Sequence, residues 1–231
     1  MSLSTYEWGR LFCATVHAVF ASVLLSSFLG AAQTGKVEAP GTGPLSDSGV
    51  PETIRQVLAP KGYRIVPDVN SSVIEIWYRK EVPAPKNTSA DAVYDRLAES
   101  TLLGVIHFSK PSQDYRGQTV PAGFYTLRYA LMPNDGNHLG VAPSRDFLLL
   151  IPARADPGPE KTLKYQELVA LSRQATGAKH PAPLSLVQAE AGSTPNPSKD
   201  EEGHVILTTQ VHLSSGEEMP LALIVKGTAP Q

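Results

Sequence analysis

The sequence predicts a mainly β protein: an antiparallel β-sandwich with one packed α-helix at about residues 160–176 and an N-terminal signal helix. Three observations predict it. Proline and glycine number 20 and 18 of 231 residues, too many for a helical bundle and too few for a low-complexity chain. From residue 73 onwards, runs of period-two alternation recur between turn-forming residues. Helical spacing is convincing only at residues 160–176.

The chain opens with Arg10 and the α-amino group against Glu7, then runs uncharged from Leu11 to Leu29. These are the n-region and h-region of a secretory signal, and Gly30-Ala31-Ala32 offers small residues for cleavage before Gln33. Residues 1–32 are therefore expected to be a signal peptide and the protein to be secreted or periplasmic. The competing reading is an uncleaved anchor, since 19 uncharged residues nearly reach the roughly 20 that span a bilayer. His17, Ser22, Ser26 and Ser27 weaken it. Membrane contact is expected only through residues 11–29, and only if they stay attached.

Cys13, the single cysteine, lies inside this segment, and Arg10-Leu11-Phe12 before it is no lipobox. The mature chain is then cysteine-free, which excludes disulfides, thiolate nucleophiles and Cys-ligated metal centres and suits a bacterial envelope. A formal charge of −2 leaves no basic field for nucleic acid. Residues 51–231 are long enough to form a single self-sufficient domain.

Residues 33–50, QTGKVEAPGTGPLSDSGV, nearly lack large apolar side chains and read as a flexible linker. Ile54, Val57 and Leu58 give a short helix from Pro51 to Leu58, ended by Pro60. Val73 to Arg79 alternates as a half-buried strand, with Ile74, Ile76 and Tyr78 on one face and Glu75, Trp77 and Arg79 on the other. Leu102 to Phe108 is a second strand. Gln118 to Val120 leads through Pro121-Ala122-Gly123 into a central strand, where Tyr125, Leu127, Tyr129 and Leu131 oppose Phe124, Thr126, Arg128 and Ala130. Arg145 to Ile151 is an apolar strand closed by Pro152.

In the helix, Leu168, Leu171, Ser172 and Ala175 form the inner stripe, Glu160 suits the N-terminal end and Gly177 the C′ position. Leu184 to Ala189 is another strand, followed by a polar loop, Glu190 to Gly203. A final hairpin pairs His204–Leu213 with Met219–Val225. Val205, Leu207, Thr209, Val211 and Leu213 face inwards, and His204, Ile206, Thr208, Gln210 and His212 outwards.

The densest polar cluster is Asn134-Asp135-Gly136-Asn137-His138, followed by Arg145 and Asp146. Asp135 and His138 have the chemistry to bind a divalent metal or share acid–base work, Asn137 to orient a substrate, and Arg145 to hold a carboxylate or phosphate. The plainer reading is a tight Pro-Asn-Asp-Gly turn with Arg145 and Asp146 at a strand end. Trp77, between Glu75 and Arg79, offers an aromatic platform for sugars or peptides if its face is open, whereas strand aromatics more often pack a core.

His107 reads as a hydrogen-bonded core-edge residue and His180 as a loop anchor. His204 and His212 lie about 27 Å apart along one strand at the usual rise of about 3.4 Å per residue, too far to share an ion. Without H-x-H, H-E-x-x-H or EF-hand spacing, a metal site is expected to need residues from separate segments. Nucleotide-binding loops and the G-x-S-x-G and S-x-x-K hydrolase motifs are absent, and no cofactor is expected.

Val120-Pro121-Ala122-Gly123-Phe124-Tyr125-Thr126-Leu127-Arg128, continuing into Asp135-Gly136-Asn137-His138-Leu139-Gly140 and Arg145-Asp146-Phe147-Leu148-Leu149, resembles uncharacterised secreted bacterial β-sandwich domains with a V/I-P-A-G-x-Y-T-L strand motif. The resemblance covers about a fifth of the chain and implies an envelope β-sandwich without an assignable activity. The expectation is an exported, non-catalytic binding or structural module with an envelope ligand or protein as partner. Its rival is a metal- or acid–base-assisted hydrolase or isomerase centred on the 134–146 loop.

Overall fold

The computed structural model describes residues 36–68, 70–85, 91–134, 142–189 and 196–230. The expected signal segment 1–32 lies outside them. No helix among the described residues is long and apolar enough to cross a membrane.

Strands β1 (Lys36–Thr42), β2 (Gly62–Val66), β3 (Ile74–Tyr78) and β4 (Leu102–Phe108) are followed by the two-residue strands β5 (Ser112–Gln113) and β6 (Thr119–Val120). Then come β7 (Gly123–Leu131), β8 (Asp146–Pro152), β9 (Pro183–Val187), β10 (Asn196–Lys199), β11 (Val205–His212) and β12 (Glu218–Lys226). Two helices interrupt them, α1 (Glu52–Arg55) after β1 and α2 (Tyr165–Ser172) after β8. Strands β5 and β6 pair with each other, and the other ten form one antiparallel sheet in the order β1-β2-β3-β4-β7-β8-β9-β12-β11-β10.

The mainly β, antiparallel architecture is as expected, but the two facing layers belong to one continuous sheet. The fold occurs at β9. Pro183, Leu184 and Ser185 pair with β8, whereas Leu186 and Val187 pair with β12, so one short strand turns the corner between the layers. Alternate side chains from both sides then meet in one core, with Ile76, Ile106, Leu127 and Leu148 against Leu207, Val211, Leu221 and Leu223. Thr209 Oγ1 donates to the Tyr63 hydroxyl across that core, at 2.7 Å. Val82 joins the layers again through a backbone bridge to Leu213.

The strands β3, β4, β7 and β8 are covered on their outer faces too. Trp77, Leu102 and Val105 pack under Val50, Ile54 and Leu58, while Ala130, Leu149 and Ile151 pack under Leu163 and Leu168. This corrects two expectations. Residues 33–50 do not act as a tether throughout, because β1 pairs with β2 through backbone groups, which need no large side chains. Strand β3 is likewise buried on both sides rather than one, since Trp77 and Arg79 are only 4% and 8% exposed.

Helix α2 is shorter than expected and is extended by one 3₁₀ turn, Arg173–Ala175. Leu168, Ser172 and Ala175 are buried as expected, and Gly177, at φ +69°, donates its amide to the Arg173 carbonyl at 2.8 Å. Glu160 does not cap the helix but pairs with Arg79 at 2.9 Å. Glu167 fills that place, accepting the Lys164 amide at 2.8 Å. The polar loop 190–203 contains an unpredicted edge strand, β10, whose Pro197 is tolerable on a sheet edge.

The segment preceding α2 turns its Gly158 and Lys161 carbonyls toward Arg128, a wholly buried side chain on the outer face of β7. Its Nε and Nη2 donate to Asp156 Oδ2 and Oδ1 at 2.7 and 2.8 Å. Nη2 also reaches the Gly158 carbonyl at 2.6 Å, and Nη1 reaches the carbonyls of Ser100 and Lys161 at 2.6 and 2.9 Å. Asp156 additionally accepts Thr126 Oγ1 and the Gly158 amide, at 2.7 and 2.9 Å. Ser100 is the only non-glycine described residue with positive φ, at +74°, and its hydroxyl oxygen accepts the Leu163 amide at 2.8 Å.

Removing either member strands a buried charge. Arg128→Ala and Asp156→Ala are each expected to cost about 3–5 kcal/mol in denaturant unfolding. A loss of less than about 1 kcal/mol, the worth of an ordinary exposed ion pair, would contradict that role.

Candidate functional site

Of the six residues singled out in the sequence, Asp135, Asn137 and His138 lie outside the described residues. Trp77 is no exposed platform: it packs beneath α1 and donates Nε1–H to the Gly43 carbonyl at 2.9 Å. Residues 43–58 supply the cover, so the sugar-platform reading of Trp77 falls.

Arg145 and Asp146 adjoin in sequence but do different work. Arg145 donates Nε and Nη2 to the Met132 carbonyl at 2.9 and 2.7 Å, with Asp91 3.7 Å from Nη1. Asp146 is buried, and its Oδ1 accepts the Tyr129 hydroxyl and the Tyr94 amide at 2.6 and 2.9 Å. Its Oδ2 accepts the Val93 amide at 3.0 Å. Tyr94, thus anchored, donates its hydroxyl to the Val187 carbonyl and accepts the Ala222 amide, at 2.6 and 2.8 Å. Asp146 therefore fastens the segment after residue 91 across β7, β9 and β12.

Burial, then the Asp146 hydrogen bond, push the Tyr129 hydroxyl well above its ordinary value. Burial likewise pushes the Tyr94 hydroxyl up to about 12. Both remain hydrogen-bond donors across the physiological range.

A cleft of about 330 Å³ lies on the outer face of β7 and β8, beside α2. Ala130, Phe147 and Leu149 line it from the sheet, and Met132, Tyr165 and Pro183 from around it. Tyr115 also lines it. Arg116 and His180 supply polar groups, both on exposed residues, and the Arg116 side chain has no ion-pair partner among the described residues. Pro133, where the predicted polar loop begins, lines this cleft and an adjoining recess that contains Arg145 and Glu99.

A second arrangement sits beyond Tyr115. Among the described residues, Asp200, Glu202 and His204 bring three potential metal-ligand atoms within 4.8 Å of one another. His204 is buried at 5% exposure, against the expectation that it faces outwards, because the backbone of Gly227 lies against its ring. A Cβ at position 227 would stand 2.2 Å from His204 Cδ2, so only glycine admits the ring there.

Nε2 of His204 lies 3.0 Å from the Thr228 carbonyl, and Nδ1 lies 2.8 Å from Asp200 Oδ2 and 3.4 Å from Glu202 Oε2. Asp200 Oδ1 accepts the amides of Glu202 and His204 at 3.0 and 2.9 Å. Burial acts to raise the Asp200 carboxyl, but hydrogen bonds from the His204 amide and ring outweigh it and hold it below its ordinary value. Burial, followed by the charges of Glu202 and Asp200, pushes the Tyr115 hydroxyl up.

Of the remaining histidines, His107 behaves as expected, with Nδ1 3.0 Å from Glu75 and its ring stacked on Phe124 at 4.2 Å. His212 lies 3.3 Å from Glu218 on the surface, and His180 joins the cleft. Compared with known protein families, curated proteins and solved structures, the chain matches none.

Asp146→Ala removes the acceptor of the buried Tyr94 amide and Tyr129 hydroxyl and of the half-buried Val93 amide. The expected loss is about 3 kcal/mol, with faster hydrogen exchange at the Val93 and Tyr94 amides. Unchanged exchange there would show that the segment is held by other contacts.

Proposed function

We propose that the protein is an exported, non-catalytic binding module of a bacterial envelope, and that it takes a small apolar ligand carrying an anionic group. The observation that carries this reading is the cleft beside α2. Its volume lies at the lower end of the roughly 300–1,000 Å³ that small-molecule sites occupy, and its lining of Phe147, Leu149 and Met132 rewards burial of an apolar body. Arg116 offers five donors to a carboxylate at the rim.

Export rests on the n-region, h-region and small-residue exit of residues 1–32, and on the resemblance around Val120–Arg128. The rival hydrolase or isomerase reading loses ground because Arg145 and Asp146 are engaged by backbone and core partners. A purely structural module would need neither an open apolar cleft nor an exposed guanidinium at its rim.

Isothermal titration of the full chain with a panel of aromatic and aliphatic carboxylates tests the proposal. Saturable binding is expected at micromolar to millimolar Kd, about −8 to −4 kcal/mol. Met132→Trp should abolish it by filling the cleft. Arg116→Glu should weaken the carboxylate about tenfold or more while sparing the matching uncharged amide. Absence of heat throughout the panel, or binding indifferent to Met132→Trp, would overturn the reading.

A further inference from the structure

We infer that Asp200, Glu202 and His204 form a binding site for a divalent transition-metal ion, with Zn²⁺ the best-matched ion. The inference is independent of the cleft's ligand and begins with how the His204 ring is held. The Thr228 carbonyl can only accept, so the hydrogen bond at 3.0 Å requires Nε2 to carry a proton. Nδ1 faces two carboxylate oxygens, 2.8 and 3.4 Å away, and what stands between them is either the Nδ1 proton, which donates to Asp200, or a metal ion that displaces it. Three potential ligand atoms, one from a buried ring and two from carboxylates, lie within 4.8 Å of one another, so a metal ion that displaces the Nδ1 proton has all three within reach.

The spacing suits such an ion. Around a tetrahedral metal with bonds of about 2.0–2.2 Å, ligand atoms stand about 3.3–3.6 Å apart, so the 3.4 Å separation from Glu202 already fits and the 2.8 Å separation from Asp200 opens by about half an ångström when the ion replaces the proton. One imidazole nitrogen and two carboxylates are borderline-to-hard donors of the kind Zn²⁺ accepts, and the site lacks the many oxygens that Ca²⁺ needs.

The surroundings also match what holds a metal-binding histidine. The ring donates its far nitrogen to a backbone carbonyl, as ligating histidines characteristically do, and this fixes both tautomer and orientation. The backbone of Gly227 and the ring of Tyr115, whose centroid is 5.8 Å away, fix the ring's position. Asp200 is aimed by two backbone amides on its other oxygen. Glu202 is exposed, so the remaining coordination positions open to solvent. All three ligands come from one five-residue stretch, Asp200-Glu201-Glu202-Gly203-His204, so the expectation that a metal would need separate segments does not hold for this site.

The test is titration of the untagged, metal-stripped full chain with ZnCl₂, followed by calorimetry and thermal unfolding. One ion per chain and a rise in Tm are expected, since an ion binding only the folded state must stabilise it. Glu202→Gln removes an exposed ligand without touching the fold and should leave the metal-free Tm unchanged. Asp200→Asn retains an oxygen for the two amides while losing the anion. Each variant should weaken Zn²⁺ by at least the roughly tenfold that even changes outside the ligand set produce. No saturable binding would overturn the inference, as would wild-type affinity in both variants, which would place the ion elsewhere on the chain.

Discussion

The buried guanidinium of Arg128 is the constraint around which the outer half of this structure is arranged. A charge at zero exposure is tolerated only when every donor is used, and Arg128 uses Asp156 and three backbone carbonyls to meet that requirement. Those carbonyls belong to Ser100, Gly158 and Lys161, so the side chain dictates the course of two otherwise unrelated loops. The energy of the pair itself is of secondary importance. What it specifies is where residues 156–163 lie, and therefore where Leu163, Leu168 and α2 cover β7 and β8.

That placement creates the cleft. The outer faces of β7 and β8 carry Ala130, Phe147 and Leu149, and α2 covers only part of them, leaving a recess bordered by Tyr165 and Pro183. The inner layer follows a simpler rule: β9 turns the corner, and alternate side chains from both layers fill one core. The proposed metal site stands on that inner layer's far edge, where the turn between β10 and β11 meets the residues after β12. Tyr115 packs near the His204 ring and also lines the cleft, so the two proposed sites share a wall.

The sequence was most legible where one face of a strand meets water. Val205, Leu207, Thr209, Val211 and Leu213 were all placed inwards from alternation alone, and all are buried. The central position of β7 followed from its two substantial faces. Alternation could not reveal what covers a strand from outside. The charged neighbours of Trp77 suggest an exposed face, yet its cover comes from residues 43–58, of which 43–50 read as linker from their small and polar composition. Alternation sets Arg128 on the face opposite Leu127 and Tyr129 but cannot identify its partner, Asp156, 28 positions away. His204 was misplaced because Gly227, which admits its ring, is remote in sequence. The Asp200, Glu202 and His204 spacing was visible, but it matches none of the standard metal patterns. At the end of the 134–146 loop, Arg145 and Asp146 take backbone and core partners, because charged groups beside apolar strands need them.

Native-state hydrogen exchange on Arg128→Lys tests the central claim most directly. A lysine keeps the charge but cannot reach Asp156 and three carbonyls with a planar fork. The account predicts that the Leu163 and Leu168 amides, which donate to Ser100 Oγ and the Lys164 carbonyl, lose protection, while amides of the β11–β12 ladder such as Val211 and Leu221 keep theirs. Equal loss in both layers, or no loss in either, would contradict the claim that Arg128 is what holds the outer layer to the sheet.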